Sequence, residues 1–235
     1  MTNFCGTKLL TSIKSLSEIS LVLNKGVDII DFKDPSVGAL GALPLRQINF
    51  FLKSIPSHQL TSATIGNVYD IKTIKEKVIN LSKTKVDFIK IGFFFDNKKL
   101  KFLKNFKKNV KNKKIIAVLF ADNKPSVKII KEIKKAKFDG ILIDTKNKNN
   151  GNLRSYLNKK NLKDLIKASK NENLSIGLAG SLNIKDIDPL IKLQPDYLGF
   201  RGALCKEKKR KENINEILLN KLVSRFNFFS FQKTF

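Results

Sequence analysis

A chain of 235 residues, 42% of them apolar, can bury a core of its own as one domain over residues 1–235, and no uninterrupted apolar run approaches the ~20 residues that cross a bilayer, so no membrane partner is expected. A single histidine, His58, and two distant cysteines, Cys5 and Cys205, leave zinc chemistry almost without ligands; no metal and no other cofactor are expected, and free thiols suit a reducing cytoplasm. The formal charge of +26 is mostly lysine spread over nearly every predicted helix, with only five scattered arginines, a chain-wide bias that argues against specific nucleic-acid binding and would draw small phosphorylated substrates.

In chain order, Met1–Lys8 lacks the basic segment, apolar run and small-residue cleavage site of a secretory leader. Short apolar, β-branched runs then recur, predicting strands over Leu9–Ile13, Val27–Lys33, Gln59–Ile65 and Val86–Gly92, then Ile115–Asp122, Phe138–Asp144, Leu174–Ala179 and Asp196–Arg201. Between them lie lysine-rich segments with helical spacing: Leu16–Asn24, Pro44–Ser54, Ile71–Ser82 and Lys98–Val110, then Ser126–Lys135, Leu162–Lys170, Ile184–Ile191 and Ile214–Val223. Strict alternation implies parallel strands joined by crossover helices, and eight of each favours an α/β fold with a closed (β/α)8 TIM barrel over an open doubly wound sheet. The three-glycine nucleotide fingerprint is missing after the first strand, which further lowers the open-sheet alternative. The phenylalanine-rich end, 226–235, suits a last helix packed on the barrel or an oligomer contact, and a homo-oligomer is expected.

In such a barrel the functional groups gather where strands end. In Ile29-Ile30-Asp31-Phe32-Lys33-Asp34-Pro35, alternation puts Ile29, Asp31 and Lys33 on one face and Ile30 and Phe32 on the other. A buried lysine with a lowered pKa can form a Schiff base with a carbonyl; the alternative for Asp31 and Lys33 is an ion pair at a strand end. Strand four carries Lys90 on the face of Phe88 and Gly92, strand five ends in Asp122, and strand six ends in Asp144 with Lys146 and Lys148 following. The third strand is small and hydroxyl-rich around Thr64. Strands seven and eight end in Gly180-Ser181 and Arg201-Gly202-Ala203, which suit a phosphate held by backbone amides with Ser181 or Arg201 as an added donor; ordinary glycine turns beside a surface arginine are the alternative.

Two lysines and two aspartates in one barrel mouth beside a phosphate site describe carbon–carbon bond chemistry on sugar phosphates. Gly26-Val27-Asp28-Ile29-Ile30-Asp31-Phe32-Lys33-Asp34-Pro35, Ser62-Ala63-Thr64-Ile65-Gly66, Phe88-Ile89-Lys90-Ile91-Gly92, Ile143-Asp144-Thr145, Leu178-Ala179-Gly180-Ser181-Leu182 and Gly199-Phe200-Arg201-Gly202-Ala203-Leu204-Cys205 resemble, in order and across nearly the whole chain, the (5-formylfuran-3-yl)methyl phosphate synthase family of methanofuran biosynthesis. The resemblance implies a TIM-barrel lyase that condenses two molecules of glyceraldehyde 3-phosphate. It also implies Lys33 as the Schiff-base lysine and Lys90 as the proton-transfer residue, assisted by Asp31, Asp144 and Lys148. The chain departs from the family pattern in a short loop after Gly66, in Asn67 where an aspartate is usual, and in an extra residue in Lys148-Asn149-Asn150-Gly151. Two rival functions are a Schiff-base aldolase acting on another phosphosugar and a basic nucleic-acid-binding protein on an inactive barrel.

Overall fold

In the computed structural model eight parallel strands close into a barrel in chain order: β1 (Lys8–Ile13), β2 (Ile29–Phe32), β3 (Leu60–Thr64), β4 (Phe88–Gly92), β5 (Lys114–Phe120), β6 (Gly140–Asp144), β7 (Ser175–Leu178) and β8 (Tyr197–Phe200). Closure is the pairing of β8 back onto β1, with Lys8 opposite Tyr197 and Thr11 opposite Phe200. The structure describes residues 6–94, 100, 103, 107, 110, 112–148 and 150–231. Most of the expected helix Lys98–Val110 falls outside these residues, as do Cys5 and the end of the phenylalanine-rich tail.

The described helices are α1 (Leu16–Val22), α2 (Leu45–Leu52), α3 (Ile71–Ser82), α4 (Lys128–Lys135), α5 (Leu153–Tyr156), α6 (Lys159–Asn171), α7 (Ile187–Ile191) and α8 (Glu216–Phe231). The helices α3, α4 and α6 are amphipathic in the expected way, each with a buried apolar stripe. In α3, Asp70 caps the N-terminus by accepting from Thr73 N at 2.8 Å, and Ile74, Val78 and Leu81 recur every three to four residues to form the buried stripe. The segment expected as one helix over Ile184–Ile191 divides into a 3₁₀ turn, Ile184–Asp186, capped by Asn183, and then α7, whose Pro189 sits in the first turn where a missing N–H costs nothing.

Alternation along the strands sorts the core into two layers. Leu10, Ile29, Ile116, Val118, Phe120, Leu142 and Tyr197 fill the barrel, while Leu9, Ile13, Ile30, Phe32, Ile89, Ile91, Ile141 and Ile143 pack outward against the helices. Gly177 is small because the Tyr197 ring crosses the barrel there: an added Cβ would lie 2.0 Å from the ring. The Tyr197 hydroxyl donates to Ile141 O at 3.2 Å.

One device repeats four times at the N-terminal end of the barrel. Asp28, Asp87, Asp139 and Asp196 each immediately precede or lead into an even-numbered strand, and each accepts the backbone N–H at the start of the preceding odd strand. The acceptor distances are 2.7 Å from Leu9, 2.8 Å from Thr61, 2.8 Å from Ile115 and 2.7 Å from Ile176. Each donor is the second residue of its strand, and these bonds satisfy its N–H and fix the stagger of each strand pair. Because side chains alternate, the third residue after each aspartate points into the barrel and the fifth points inward one layer higher.

Candidate active site

Counting from the four aspartates gives the site its floor and its upper layer. The lower layer is Asp31, Lys90, Leu142 and Gly199; the upper is Lys33, Gly92, Asp144 and Arg201. All of these except Gly92 line a cavity of about 200 Å³ at the C-terminal mouth. Leu40, from the loop after β2, occupies the space above Gly92, where an added Cβ would meet it at 2.6 Å. That loop is held by Asn67, whose Oδ1 accepts from Leu40 N at 3.0 Å, and by Thr64, whose hydroxyl donates to Leu40 O at 3.2 Å. The mouth is therefore plugged over β3 and β4 and open beside β6, β7 and β8, where inward positions are small: Ala179, Ser181 and Gly199.

Two lysine–aspartate pairs are stacked in this cavity. On the floor Lys90 Nζ lies 2.5 Å from Asp31, whose carboxylate also accepts from Ser12 Oγ at 2.8 Å and Ser62 Oγ at 2.6 Å. One layer up Lys33 Nζ is 3.3 Å from Asp144 Oδ2, while Lys148 takes the other oxygen of the same carboxylate and donates to Thr145 Oγ1 at 3.1 Å. Burial lowers Lys33 from an ordinary 10.5 to about 7; Asp144 opposes the shift, and Lys148 and Lys90 add to it. Lys148 is also lowered, chiefly by burial. Burial would raise Asp144, but the ammonium groups of Lys148 and Lys33 outweigh it and hold the carboxyl below its usual range. The buried amine at Lys33 is thus shifted toward its neutral form near pH 7, one layer above a lysine and a carboxylate in direct contact.

The expected residues Asp31, Lys33, Lys90, Asp144, Lys148, Ser181, Arg201, Gly202 and Ala203 all line this cavity. Thr64 and Gly180 do not: Thr64 is spent on the plug loop, and Gly180, at φ +105°, sits where an added Cβ would lie 3.0 Å from Thr145 N, and its carbonyl accepts from Leu153 N. Asp122 also lies elsewhere, accepting backbone N–H bonds from Lys146 and Asn147 at 2.7 and 2.9 Å. Arg201 reaches the cavity wall with its guanidinium committed: to buried Glu18 at 2.8 Å, and to the carbonyls of Ser12, Arg210 and Glu212 at 3.2, 3.0 and 2.6 Å. Two cavity cations escaped the sequence reading, Lys208 and Arg210. They sit in the run Lys206–Lys211, which looks like one more solvated basic stretch of this chain. No group of three or more His, Cys, Asp or Glu among the described residues could hold a metal ion, and no described helix is long and apolar enough to cross a membrane.

A family model described as 4-HFC-P synthase matches residues 9–223. A putative (5-formylfuran-3-yl)methyl phosphate synthase of Methylorubrum extorquens is 34% identical over 208 residues, 88% of this chain and 86% of that one. The (5-formylfuran-3-yl)methyl phosphate synthase of Methanococcus aeolicus is 31% identical over 230 residues, 92% of this chain and 97% of that protein. Among solved structures, phosphoribosyl anthranilate isomerase of Thermus thermophilus superposes with a TM-score of 0.69 at 13% identity, covering 95% of this chain and 100% of that one. The 3-hexulose-6-phosphate synthase of Salmonella typhimurium does so with a TM-score of 0.64 at 14% identity, covering 94% and 100%. At such identities the two structures show the shared barrel alone.

Proposed function

The chain belongs to the 4-HFC-P synthase family, an enzyme family, and from that premise we propose that it condenses two molecules of glyceraldehyde 3-phosphate to (5-formylfuran-3-yl)methyl phosphate, with loss of phosphate and water, as a lyase of methanofuran biosynthesis. The observation that carries the reading is the buried Lys33 amine, brought to about 7 at the mouth of the barrel. As the free amine it attacks the aldehyde carbon of one triose; the carbinolamine loses water and leaves an imine on Lys33 Nζ. Protonated, that imine withdraws electrons from the adjacent carbon, so a proton can leave there and the resulting enamine can attack the second aldehyde.

Ring formation then needs protons delivered to departing oxygens and removed from carbon. Lys90, one layer below and in contact with Asp31, is the group assigned to that transfer, with Ser12 and Ser62 fixing the carboxylate that orients it. Asp144 stabilises the iminium, and Lys148 balances Asp144 and keeps Lys33 from remaining protonated. The phosphorylated end of the substrate lies toward Ser181, Gly202 and Ala203, where the wall is small and polar. Incubation with glyceraldehyde 3-phosphate should produce the ultraviolet absorbance of a conjugated furan aldehyde together with inorganic phosphate. Imine trapping without that absorbance would transfer the site to an aldolase acting on another phosphosugar.

A further inference from the structure

The charges lining the cavity do not balance. Lys90 pairs with Asp31, Lys148 with Asp144 and Arg201 with Glu18. Lys33 shares Asp144 and is close to half neutral near pH 7. What remains is Arg210 and Lys208, both on the loop after β8 and both facing the cavity. Among the described residues neither forms an ion pair, and the carboxylate nearest to Lys208 in sequence, Glu207, is 2.6 Å from Lys209 instead. A guanidinium has five N–H donors in a planar fork; that of Arg210 makes one hydrogen bond among the described residues, from Nη2 to Gly38 O at 3.3 Å. A half-buried cation with its donors unspent is unfavourable until an anion arrives.

The loop is built to keep these two groups there. Arg201 donates to the carbonyls of Arg210 and Glu212, and Glu18 accepts from both Arg201 and the backbone N–H of Ile214 at 3.0 Å, so the two ends of the loop are tied to α1. Glu207 and Lys208 are consecutive left-handed residues, φ +49° and +57°, a conformation that side chains disfavour, in the loop whose Lys208 and Arg210 line the cavity. Resting on the phosphorylated-substrate reading above, we infer that Arg210 and Lys208 are the cations that bind the substrate's phosphate group, and that Arg201 is a positioning residue that holds their loop in place. Their combined charge matches a phosphate monoester, which carries about −1.5 to −2 at pH 7. The planar fork of Arg210 takes two phosphate oxygens, releasing Gly38 O, and Lys208 adds a point charge.

The test is the binding of inorganic phosphate to the full chain at pH 7 by titration calorimetry, which needs no turnover. Arg210→Gln and Lys208→Gln should each weaken binding by about tenfold or more, as expected for loss of a charge-assisted hydrogen bond, while Lys206→Gln, on the same loop and outside the cavity, stays within about twofold. Phosphate dissociation constants within about twofold of the unaltered protein for both Arg210→Gln and Lys208→Gln would overturn the inference, as would no binding to the unaltered chain. If Arg210→Gln does not fold, Lys208→Gln decides by the same criterion. Phosphate binding that depends on both residues, in a protein that makes no furan aldehyde, would leave this inference standing and remove only the proposed condensation.

Discussion

Replacing Lys148 by Met should move the pH at which Lys33 becomes reactive. Lys148 and Lys33 hold opposite oxygens of Asp144, so the substitution removes a like charge and leaves the carboxylate to Lys33 alone. Both changes favour the ammonium form, and a charge at such range is worth roughly 1–3 pKa units. Taking the lower end, Lys33 rises from about 7 to roughly 8, and its free-amine fraction at pH 7 falls from about one-half to about one-tenth. The initial rate of borohydride-trapped adduct formation, measured from pH 5.5 to 9.5, should therefore show its midpoint moving upward and a rate at pH 7 about fivefold lower. A midpoint that stays near 7 or moves down would refute the charge coupling through Asp144.

Three further outcomes follow from the same geometry. Folding depresses the pKa of Lys33, so between about 7 and 10.5 the unfolded chain binds a proton that the folded chain does not, and this group's cost is full below that window and fades as pH rises through it. Lys33→Met should accordingly be more stable than the unaltered protein in denaturant melts at pH 6, with the gap shrinking from pH 7 to 9; a gap that grows would contradict the burial cost. Lys90→Met should lose turnover by ~10² to 10⁴-fold while still forming an imine at Lys33, and near-normal furan production would pass the proton-transfer role to Asp31 or Asp144. Glu18→Gln strands Arg201 in a buried site and should cost roughly 3–5 kcal/mol in urea unfolding, whereas a loss below about 1 kcal/mol would show that the loop after β8 does not depend on this pair.

The barrel was legible because its signal is periodic. All eight expected strands are present, the expected inner face of Ile29, Asp31 and Lys33 is the inner face of β2, and Ile30 and Phe32 pack outward. Most expected strands run one or two residues past an observed end, since apolar residues such as Val27 and Ile65 continue into buried loops, while β1 and β5 begin one residue earlier than expected. The helix α5 is a single turn, too short to show a period, although Asn152 and Ser155 form its capping box. What the sequence hid were partnerships between distant segments. Nothing near Arg201 indicates that Glu18, 183 positions away, takes its charge, or that Thr64 is occupied by Leu40. Arg210 was hidden differently, by lysines on either side that make its segment look solvated. The four aspartates that precede even strands were visible as Val27-Asp28, Val86-Asp87, Phe138-Asp139 and Pro195-Asp196, and counting from them would have placed the two layers of the site.

The measurement that bears most directly on the mechanism is covalent trapping: glyceraldehyde 3-phosphate with borohydride at pH 7.5, followed by peptide mapping by mass spectrometry. The account predicts a reduced adduct on the peptide containing Lys33 and its absence in Lys33→Met, with Lys90 and Lys148 unmodified. An adduct on Lys90 or Lys148 that persists in folded Lys33→Met would contradict it.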